Sequence, residues 1–336
     1  MIWGPWGIVR SFGPFRPASR DVAKVFICNI VVFTQMIIDF SAHVMLPSWE
    51  GSMSVHFKYD GNAPGERLAL MDKYGIDVQV VHLSAAQLSG LSPEGSVRIC
   101  RMVNDYIHDE LTSKHPDRFI GCGIVGLLDA DAALEELDRI KGMGFRCATV
   151  PAHQGDRGLD HPESRRILRR AAELGLPVFI HPVDLDGLPL DRGSMSAFGW
   201  PFDTSVAAWR LIVGGVFDEI QNLVVVLHHM GAMIPFFRHR VNERLERMGV
   251  GRKLEQYVSH IYVDTAVDGE SVADLMTAYQ LFGPRRIMFG SDWPYITASK
   301  SIGGNLSMIR AAPIPDEEKE MILHGNAEHL LGLKRS

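Results

Sequence analysis

Four polar residues stand at the ends of short apolar runs and are of the types that bind metal ions. Asp292 follows one such run, and His43, His181 and His229 end three others that are rich in β-branched and aromatic residues. Pro294 has no backbone N–H, so a strand before Asp292 has to end there. Imidazole and carboxylate are common protein ligands of Zn²⁺ and related cations. The pattern therefore predicts a metal centre whose ligands come from several strand ends.

Each of these residues also has an ordinary structural explanation. An Asp after a strand can cap the following helix, and a lone histidine at a strand end is usually a packing residue. A buried carboxylate, however, is costly unless a cation or a proton-sharing partner meets it. Three strand-end histidines together with one Asp favour a shared metal centre over four separate structural roles.

The composition is that of an ordinary globular protein. With 336 residues, 46% hydrophobic and 22% charged, the chain can bury a large core. A net charge of −6 with scattered signs leaves no basic face, which argues against nucleic-acid binding. No run reaches the roughly 18 apolar residues of a membrane span. The four cysteines are far apart, so we expect no disulfide framework and a reducing, cytoplasmic compartment.

Residues 1–35 differ from the rest of the chain. They contain a short, mostly apolar run after several basic residues, as in a signal peptide, but no small-residue cleavage site follows it. We expect an unstructured leader that results from a mis-assigned start ahead of Met36, with a targeting segment as the alternative. Residues 36–336 are then expected to form a single domain.

From Met36 onward, short strands alternate with amphipathic helices, the pattern of parallel βαβ units. Eight such repeats predict a (β/α)₈ TIM barrel, followed by a short C-terminal amphipathic helix between Ile314 and Leu333. The active site of such a barrel lies at the carboxyl ends of the strands. Closure of the barrel would bring the metal-type residues of strands one, five, six and eight together. An open doubly wound sheet would leave strands one and eight apart, and no G-x-G-x-x-G loop suggests a dinucleotide.

The motifs at these strand ends resemble those of a known family. They are Ile38-Asp39-x-x-x-His43, Phe179-Ile180-His181-Pro182, His229-Met230-Gly231-Ala232-Met233-Ile234-Pro235, Phe289-Gly290-Ser291-Asp292-Trp293-Pro294 and Asn326-Ala327, with Gly199-Trp200-Pro201-Phe202-Asp203-Thr204 and Gly214-Gly215-Val216-Phe217 between them. From Met36 to Leu333 the chain resembles the amidohydrolase-related metal enzymes of the aminocarboxymuconate-semialdehyde decarboxylase type.

The resemblance implies one divalent metal ion, with zinc as the first expectation and manganese as the alternative. By position, the ligands would include His43, His181 and Asp292. His229 would bind or activate water beside the metal, and either His229 or Asp292 would be the acid that delivers a proton. The neighbouring His228 offers an alternative register, but only His229 has a proline at the spacing of the family.

The first strand departs from the pattern of the family. Where relatives carry H-x-H or E-x-H, this chain has Ser41 two residues before His43. Strand alternation places both side chains on one face, so Ser41 is a further candidate metal ligand. A serine hydroxyl is a much poorer ligand than imidazole or carboxylate. Ser41 therefore either leaves a coordination position open for substrate or marks a weakened metal site.

Four further residues are predicted to contact substrate. Arg240 looks like a position of the family that meets substrate carboxylates, often across a subunit interface, and we expect a homodimer. Trp200 is expected to line the pocket as a bulky lid. His82 and His153 follow strands two and four and are predicted to face the mouth of the barrel. The ordinary alternatives are a solvated arginine, a buried aromatic residue and structural histidines.

The reaction predicted first is the metal-dependent, non-oxidative decarboxylation of a small aromatic or unsaturated carboxylic acid. Loss of carbon dioxide leaves carbanion-like charge on carbon, so the site needs a cation to absorb the charge and an acid to deliver a proton. Hydrolysis of an amide or lactone, or hydration, is the alternative, because fold and metal do not determine the reaction. A non-catalytic barrel with a degenerate metal site is the third hypothesis, and Ser41 motivates it.

Overall fold

Eight parallel strands form the central sheet of this computed structural model, which describes residues 36–45, 63–267 and 270–333. In chain order they are β1 (Ile38–Val44), β2 (Val78–Leu83), β3 (Phe119–Ile124), β4 (Cys147–Pro151), β5 (Val178–His181), β6 (Val225–Leu227), β7 (Ile261–Asp264) and β8 (Ile287–Met288). Each strand pairs with the next one along the chain. The predicted leader, residues 1–35, lies outside the described residues.

Backbone hydrogen bonds between β1 and the segment after β8 close the sheet. The His43 N–H donates to the Trp293 carbonyl at 2.7 Å, and the Asp292 N–H donates to the Ser41 carbonyl at 2.9 Å. Closure therefore brings the residues after β8 to the carboxyl end of β1. The predicted TIM barrel is confirmed.

Helices lie between the strands on the outside of the barrel. The longer ones that follow β1 to β7 are α1 (Pro64–Tyr74), α2 (Pro93–Tyr106), α3 (Ala130–Gly142), α4 (Pro162–Glu173), α5 (Trp200–Val213), α6 (Ile234–Arg247) and α7 (Val272–Phe282). After β8 come α8 (Asn305–Ala311), α9 (Asp316–Glu320) and α10 (Asn326–Leu331). Within the described ranges, no helix has the length and apolar character that crossing a membrane requires.

Local sequence signals mark where several helices begin and which face they bury. The Ser92 hydroxyl accepts from the Gly95 N–H at the start of α2, and the side chain of Asp129 caps α3 in the same way. Helix α4 buries Ile167 and Leu168, while its charged residues face outward. The helices therefore form an outer layer whose apolar faces cover the strands.

The strands bury both of their faces. One apolar cluster fills the inside of the barrel and comprises Ile38, Phe40, Val80, Cys122, Cys147, Phe179, Val226, Tyr262, Met288, Ala327 and Leu331. A second, larger cluster lies between the strands and the helices. Because these parallel strands are buried on both faces, most of their residues are apolar, which explains the nearly continuous apolar runs of the sequence.

Side chains of β1 change phase in the middle of the strand. Ile38 and Phe40 belong to the inner cluster, whereas Ala42 and Val44 belong to the outer one. Pairing with β2 shifts between Asp39 and Ala42, and an irregularity of this kind re-aims the side chains that follow. The imidazole of His43, near the end of β1, consequently faces the inside of the barrel.

The C-terminal segment closes the amino end of the barrel. The Asn326 side-chain amide donates to the carbonyls of Pro284 and Ile287, each at 2.7 Å. Ala327 and Leu331 pack into the inner cluster beside residues at the amino ends of the strands. The predicted C-terminal helical extension is therefore present and packs on the barrel.

Candidate metal centre

Four imidazoles and one carboxylate lie together at the carboxyl ends of the strands. They are His43 of β1, His181 of β5, His228 and His229 directly after β6, and Asp292 shortly after β8. Ligand atoms of His43, His181 and His228 lie within 4.8 Å of one another, as do those of His228, His229 and Asp292. The structure thus brings together the four residues predicted from the strand ends and adds His228.

The carboxylate of Asp292 contacts two of these imidazoles. Its Oδ1 lies 2.8 Å from Nε2 of His43 and 3.3 Å from Nε2 of His228. Burial alone would raise the pKa of Asp292, but the two imidazoles outweigh burial and hold the pKa well below its usual value. The φ angle of Asp292 is 58°, in the left-handed region that Asp enters more readily than most residues. An ionised carboxylate therefore lies beside the imidazole cluster.

The ring of His228 lies between two carboxylates. Its Nδ1 is 2.6 Å from Oδ2 of Asp264, and its Nε2 faces Asp292. Burial disfavours a charged imidazole, but Asp264 and Asp292 outweigh burial and raise the pKa of His228 to about 10. The other oxygen of Asp264 accepts the backbone N–H of His229 at 2.9 Å. The last residue of β7 therefore orients the chain after β6.

The other three imidazoles are neutral. Burial lowers the pKa of His43, holds the pKa of His181 well below its usual value and, together with the charge on His228, lowers the pKa of His229 to about 3. Nδ1 of His181 donates to the carbonyl of Pro182 at 2.7 Å, which leaves Nε2 for another partner. The neutral imidazole is the form that binds a metal ion.

Several buried ring nitrogens of the cluster lack a hydrogen-bond partner among the described residues. They are Nδ1 of His43, Nε2 of His228 and Nδ1 of His229. Buried polar atoms without a partner are costly unless something else satisfies them. Imidazoles with one carboxylate are a suitable donor set for zinc or manganese. The cluster therefore fits the divalent ion that the motifs imply.

The chain after β6 turns through an unusual backbone conformation. His229, Met230 and Ala232 have φ angles of 58°, 57° and 57°, and Gly231 has 75°. A positive φ angle is unfavourable for residues other than glycine, so the surrounding contacts have to maintain this turn. Glycine is also needed for space, because a Cβ at position 231 would lie 2.8 Å from the ring of Phe282.

A cleft of about 400 Å³ opens beside the cluster. Its lining includes His229, Asp292, Trp200, Arg192 and Tyr295. Trp200 donates from Nε1 to Asp184 at 2.9 Å, and the guanidinium of Arg192 lies 5.0 Å from the centre of the Trp200 ring. Arg192 and Tyr295 were not predicted from the sequence. Tyr295 directly follows the strand-eight motif, whereas no sequence signal marks Arg192.

Two residues of the predicted site lie inside the barrel. The Ser41 hydroxyl is 3.4 Å from Nε2 of His82, and Nδ1 of His82 is 3.3 Å from the Thr149 hydroxyl. Both residues are fully buried, and neither is part of the lining of the cleft. The position of His82 therefore does not support its predicted contact with substrate.

Two other predicted substrate contacts also lie away from this cleft. Nδ1 of His153 is 2.8 Å from Oδ1 of Asp203, and this hydrogen bond, with the charge of Asp203, raises the pKa of His153. His153 lines a separate cleft of about 150 Å³. Arg240 is exposed on α6 and is not part of the lining of the larger cleft.

Known proteins with similar sequences include decarboxylases. The gamma-resorcylate decarboxylase of Rhizobium sp. (strain MTP-10005) is 29% identical over 289 residues, which cover 80% of this chain and 86% of the relative. The 2-amino-3-carboxymuconate-6-semialdehyde decarboxylase of Dictyostelium discoideum is 27% identical over 282 residues, which cover 80% of this chain and 77% of the relative. These relatives confirm the reaction class expected from the motifs.

Solved structures of similar fold include two decarboxylases. The 2,6-dihydroxybenzoate decarboxylase from Rhizobium has a TM-score of 0.76 and 26% identity, and the match covers 89% of this chain and 99% of that one. The dihydroxybenzoic acid decarboxylase from Polaromonas sp. JS666, solved with bound manganese and the inhibitor 2-nitroresorcinol, has a TM-score of 0.76 and 23% identity over 90% of this chain and 98% of that one.

A family model described as Amidohydrolase matches residues 38–333. The matched span contains all eight strands, the cluster of imidazoles and the residues that line the cleft. Since this span is most of the chain, the protein belongs to the amidohydrolase family.

Proposed function

We propose that this protein is a metal-dependent, non-oxidative decarboxylase that acts on a small aromatic carboxylic acid. The observation that carries the proposal is a cleft lined by His229 and Asp292 directly beside a buried cluster of imidazoles. The decarboxylase relatives support the same reaction class.

His43, His181 and Asp292 are the proposed ligands of one divalent ion. Imidazole donors favour zinc, which stays our first expectation, and the carboxylate also suits manganese, the ion in a relative of the same fold. When bound, the ion supplies positive charge that stabilises the carboxylate or phenolate of the substrate.

His229 is the proposed proton-transfer residue. The ring carbon that loses carbon dioxide keeps the electron pair of the broken bond and has to gain a proton. The neutral imidazole of His229 lines the cleft, so one of its nitrogens can take a proton from a hydroxyl group of the bound acid or from water and pass it to the ring carbon. The carboxylate of Asp292 contacts His43 and His228, and these contacts stabilise its negative charge, so Asp292 is less suited to deliver a proton.

Trp200 and Arg192 are proposed to hold the aromatic acid in the cleft. An indole face suits an aromatic ring, and a guanidinium suits a carboxylate. Arg240 can meet substrate only if another chain covers α6, as the expected homodimer would allow. Helix α6 also exposes Phe236 and Phe237, which is in keeping with a surface covered by another protein chain.

Carbon dioxide release from a panel of hydroxybenzoates and muconate-like acids tests the proposed reaction. We expect release that stops when a chelator removes the metal and resumes when zinc or manganese is added. Hydrolysis of lactones or amides without carbon dioxide release would instead support the hydrolase alternative. A wild-type protein that neither binds a divalent ion nor turns over any of these compounds would support the non-catalytic barrel.

The ligand assignment has a separate test. His181→Ala and Asp292→Ala should each weaken metal binding by more than about 100-fold, since each removes a direct ligand rather than a supporting residue. Metal content after gel filtration, measured by elemental analysis, reports the loss. Full occupancy in both variants would rule out the assignment.

A further inference from the structure

We infer that His228 is a fourth metal ligand and supplies the donor that the first strand lacks at Ser41. The inference rests on the proposed metal-dependent function. It goes beyond the ligands that the motifs imply, which come from strands one, five and eight. In this arrangement the segment that follows β6 provides the missing donor.

The hydrogen bond at Nδ1 orients the ring of His228 as the rings of metal-bound histidines are usually oriented. Such histidines donate the second ring N–H to a carboxylate or a carbonyl, which fixes the ring and the tautomer. Nδ1 of His228 has the carboxylate of Asp264 at 2.6 Å. Nδ1 of His181, a proposed ligand, has the carbonyl of Pro182 at 2.7 Å. The two rings are therefore held in equivalent ways, each with Nε2 left for another partner.

The position of Nε2 in His228 also fits a shared ion. This nitrogen is buried, has no hydrogen-bond partner among the described residues and lies 3.3 Å from Oδ1 of Asp292. Two ligand atoms at about 2 Å from one zinc ion are separated by roughly 3 to 4 Å. Ligand atoms of His43, His181 and His228 also lie within 4.8 Å of one another. Binding at Nε2 requires this nitrogen to lose its proton, and a dication would replace that positive charge.

The hydroxyl of Ser41 contacts a residue other than the proposed ligands. Its hydroxyl is 3.4 Å from Nε2 of His82, so the contact that it makes is with another residue of the barrel interior. A structural role for His228 would require only its ion pair with Asp264. In such a role Nε2 would have only the long 3.3 Å ion pair with Asp292 and no hydrogen bond among the described residues, whereas a shared ion would give both atoms a direct partner.

Cobalt(II) binding to the chelator-treated full-length protein tests the inference. Visible absorption reports both the affinity and the ligand set, and competition gives the zinc affinity. His228→Asn keeps an amide that can donate to Asp264 but removes Nε2. We expect at least about a 100-fold loss of affinity and altered cobalt bands in this variant, and about a 10- to 100-fold loss in Asp264→Asn.

His82→Asn is the matched control. It also removes a fully buried imidazole, one whose ring centre lies 4.4 Å from that of His43. We expect it to keep the wild-type cobalt spectrum and the wild-type affinity within a few-fold. Circular dichroism verifies the fold of each variant, and if His228→Asn does not fold, Asp264→Asn decides the question.

The possible failures are distinguishable. If the wild-type protein binds neither cobalt nor zinc, both the proposed function and this inference are wrong. If the wild type binds one ion per chain and His228→Asn binds it with equal affinity and the same spectrum, only the inference about His228 is wrong. If His82→Asn loses metal as fully as His228→Asn does, packing rather than ligation explains the loss, and the inference is again wrong.

Discussion

His228 and His229 are neighbours in the chain, yet their imidazoles bind protons with very different affinity. Burial lowers the pKa of both rings, but the carboxylates of Asp264 and Asp292 surround His228 and raise its pKa to about 10. His229 lies beside the charged ring of His228, which adds to burial and lowers its pKa to about 3. The two residues therefore suit different tasks, with His229 facing the cleft and His228 facing the carboxylates.

At this scale we expect His229→Asn to separate turnover from metal binding. Loss of a proton-transfer group costs about 10²- to 10⁴-fold in rate, whereas the ligands proposed for the ion remain in place. Turnover measured as carbon dioxide release should fall by that factor, and metal content should stay at the wild-type level. Unchanged turnover would exclude His229 from the chemistry. Loss of the metal would instead make His229 a ligand.

At the scale of elements, the turn after β6 is the local structure on which the site depends most. Consecutive positive φ angles carry the chain from β6 towards α6 and present His229 to the cleft. Gly231 has a φ of 75° and packs so closely that an added Cβ would lie 2.8 Å from Phe282 and 3.2 Å from Val263. Two independent requirements, conformation and space, therefore select glycine at this position.

Gly231→Ala should destabilise the protein by about 1–3 kcal/mol, because it combines backbone strain with overpacking. Chemical denaturation measures the change. Gly65→Ala is a suitable control, since Gly65 lies in the first turn of α1 with nothing within 4 Å of an added Cβ. This control should leave stability unchanged or raise it by up to about 1 kcal/mol. If Gly231→Ala leaves the free energy of unfolding unchanged, the turn relaxes easily.

The pair of His153 and Asp203 links the segment after β4 to α5 and predicts a pH dependence. Its hydrogen bond raises the pKa of His153 above the unfolded value of 6.5. The stabilisation is therefore fully present below about pH 6.5 and disappears as the pH rises through the folded-state pKa. His153→Gln should lower the free energy of unfolding by up to about 1 kcal/mol near pH 6 and by less near pH 9. An equal loss at both pH values would mean that the charge of His153 is unimportant.

At the scale of the whole molecule, polar contacts reinforce the closure of the barrel between β1 and β8. Asp39 accepts the Ser291 N–H at 2.9 Å, the Ser291 hydroxyl at 2.7 Å and the Gln79 side-chain amide at 2.9 Å. The fully buried Arg67 donates to Gln79 at 3.1 Å and to the His43 carbonyl at 2.5 Å. One buried network thus joins β1, α1, β2 and the segment after β8 directly beneath the backbone of the site.

Ser291→Ala should cost about 1–3 kcal/mol, because it leaves a buried oxygen of Asp39 with one partner fewer. Thermal or chemical unfolding of the complete chain measures this change. Ser113→Ala removes a hydroxyl from an exposed position and should change stability by less than about 0.5 kcal/mol. Equal stability of the two variants would show that the contact between Asp39 and Ser291 does not hold the barrel closed.

The sequence by itself determined the barrel and the strand-end positions of His43, His181, His229 and Asp292. This was possible because the alternation of strands and helices, and the metal-type residue at the end of each of four apolar runs, are local patterns of the chain. The predicted family followed from the same short motifs, since each of them lies within a few residues.

Only the tertiary structure decided how these residues meet. The contact of His43 with Asp292 joins residues 249 positions apart, and that of His228 with Asp264 joins residues 36 positions apart. The irregularity in β1 that separates Ser41 from simple strand alternation depends on pairing with β2. The contacts of His228 with two carboxylates, the place of Arg192 in the cleft and the burial of His82 could not be predicted, because each depends on contacts between segments that only the closed barrel brings together.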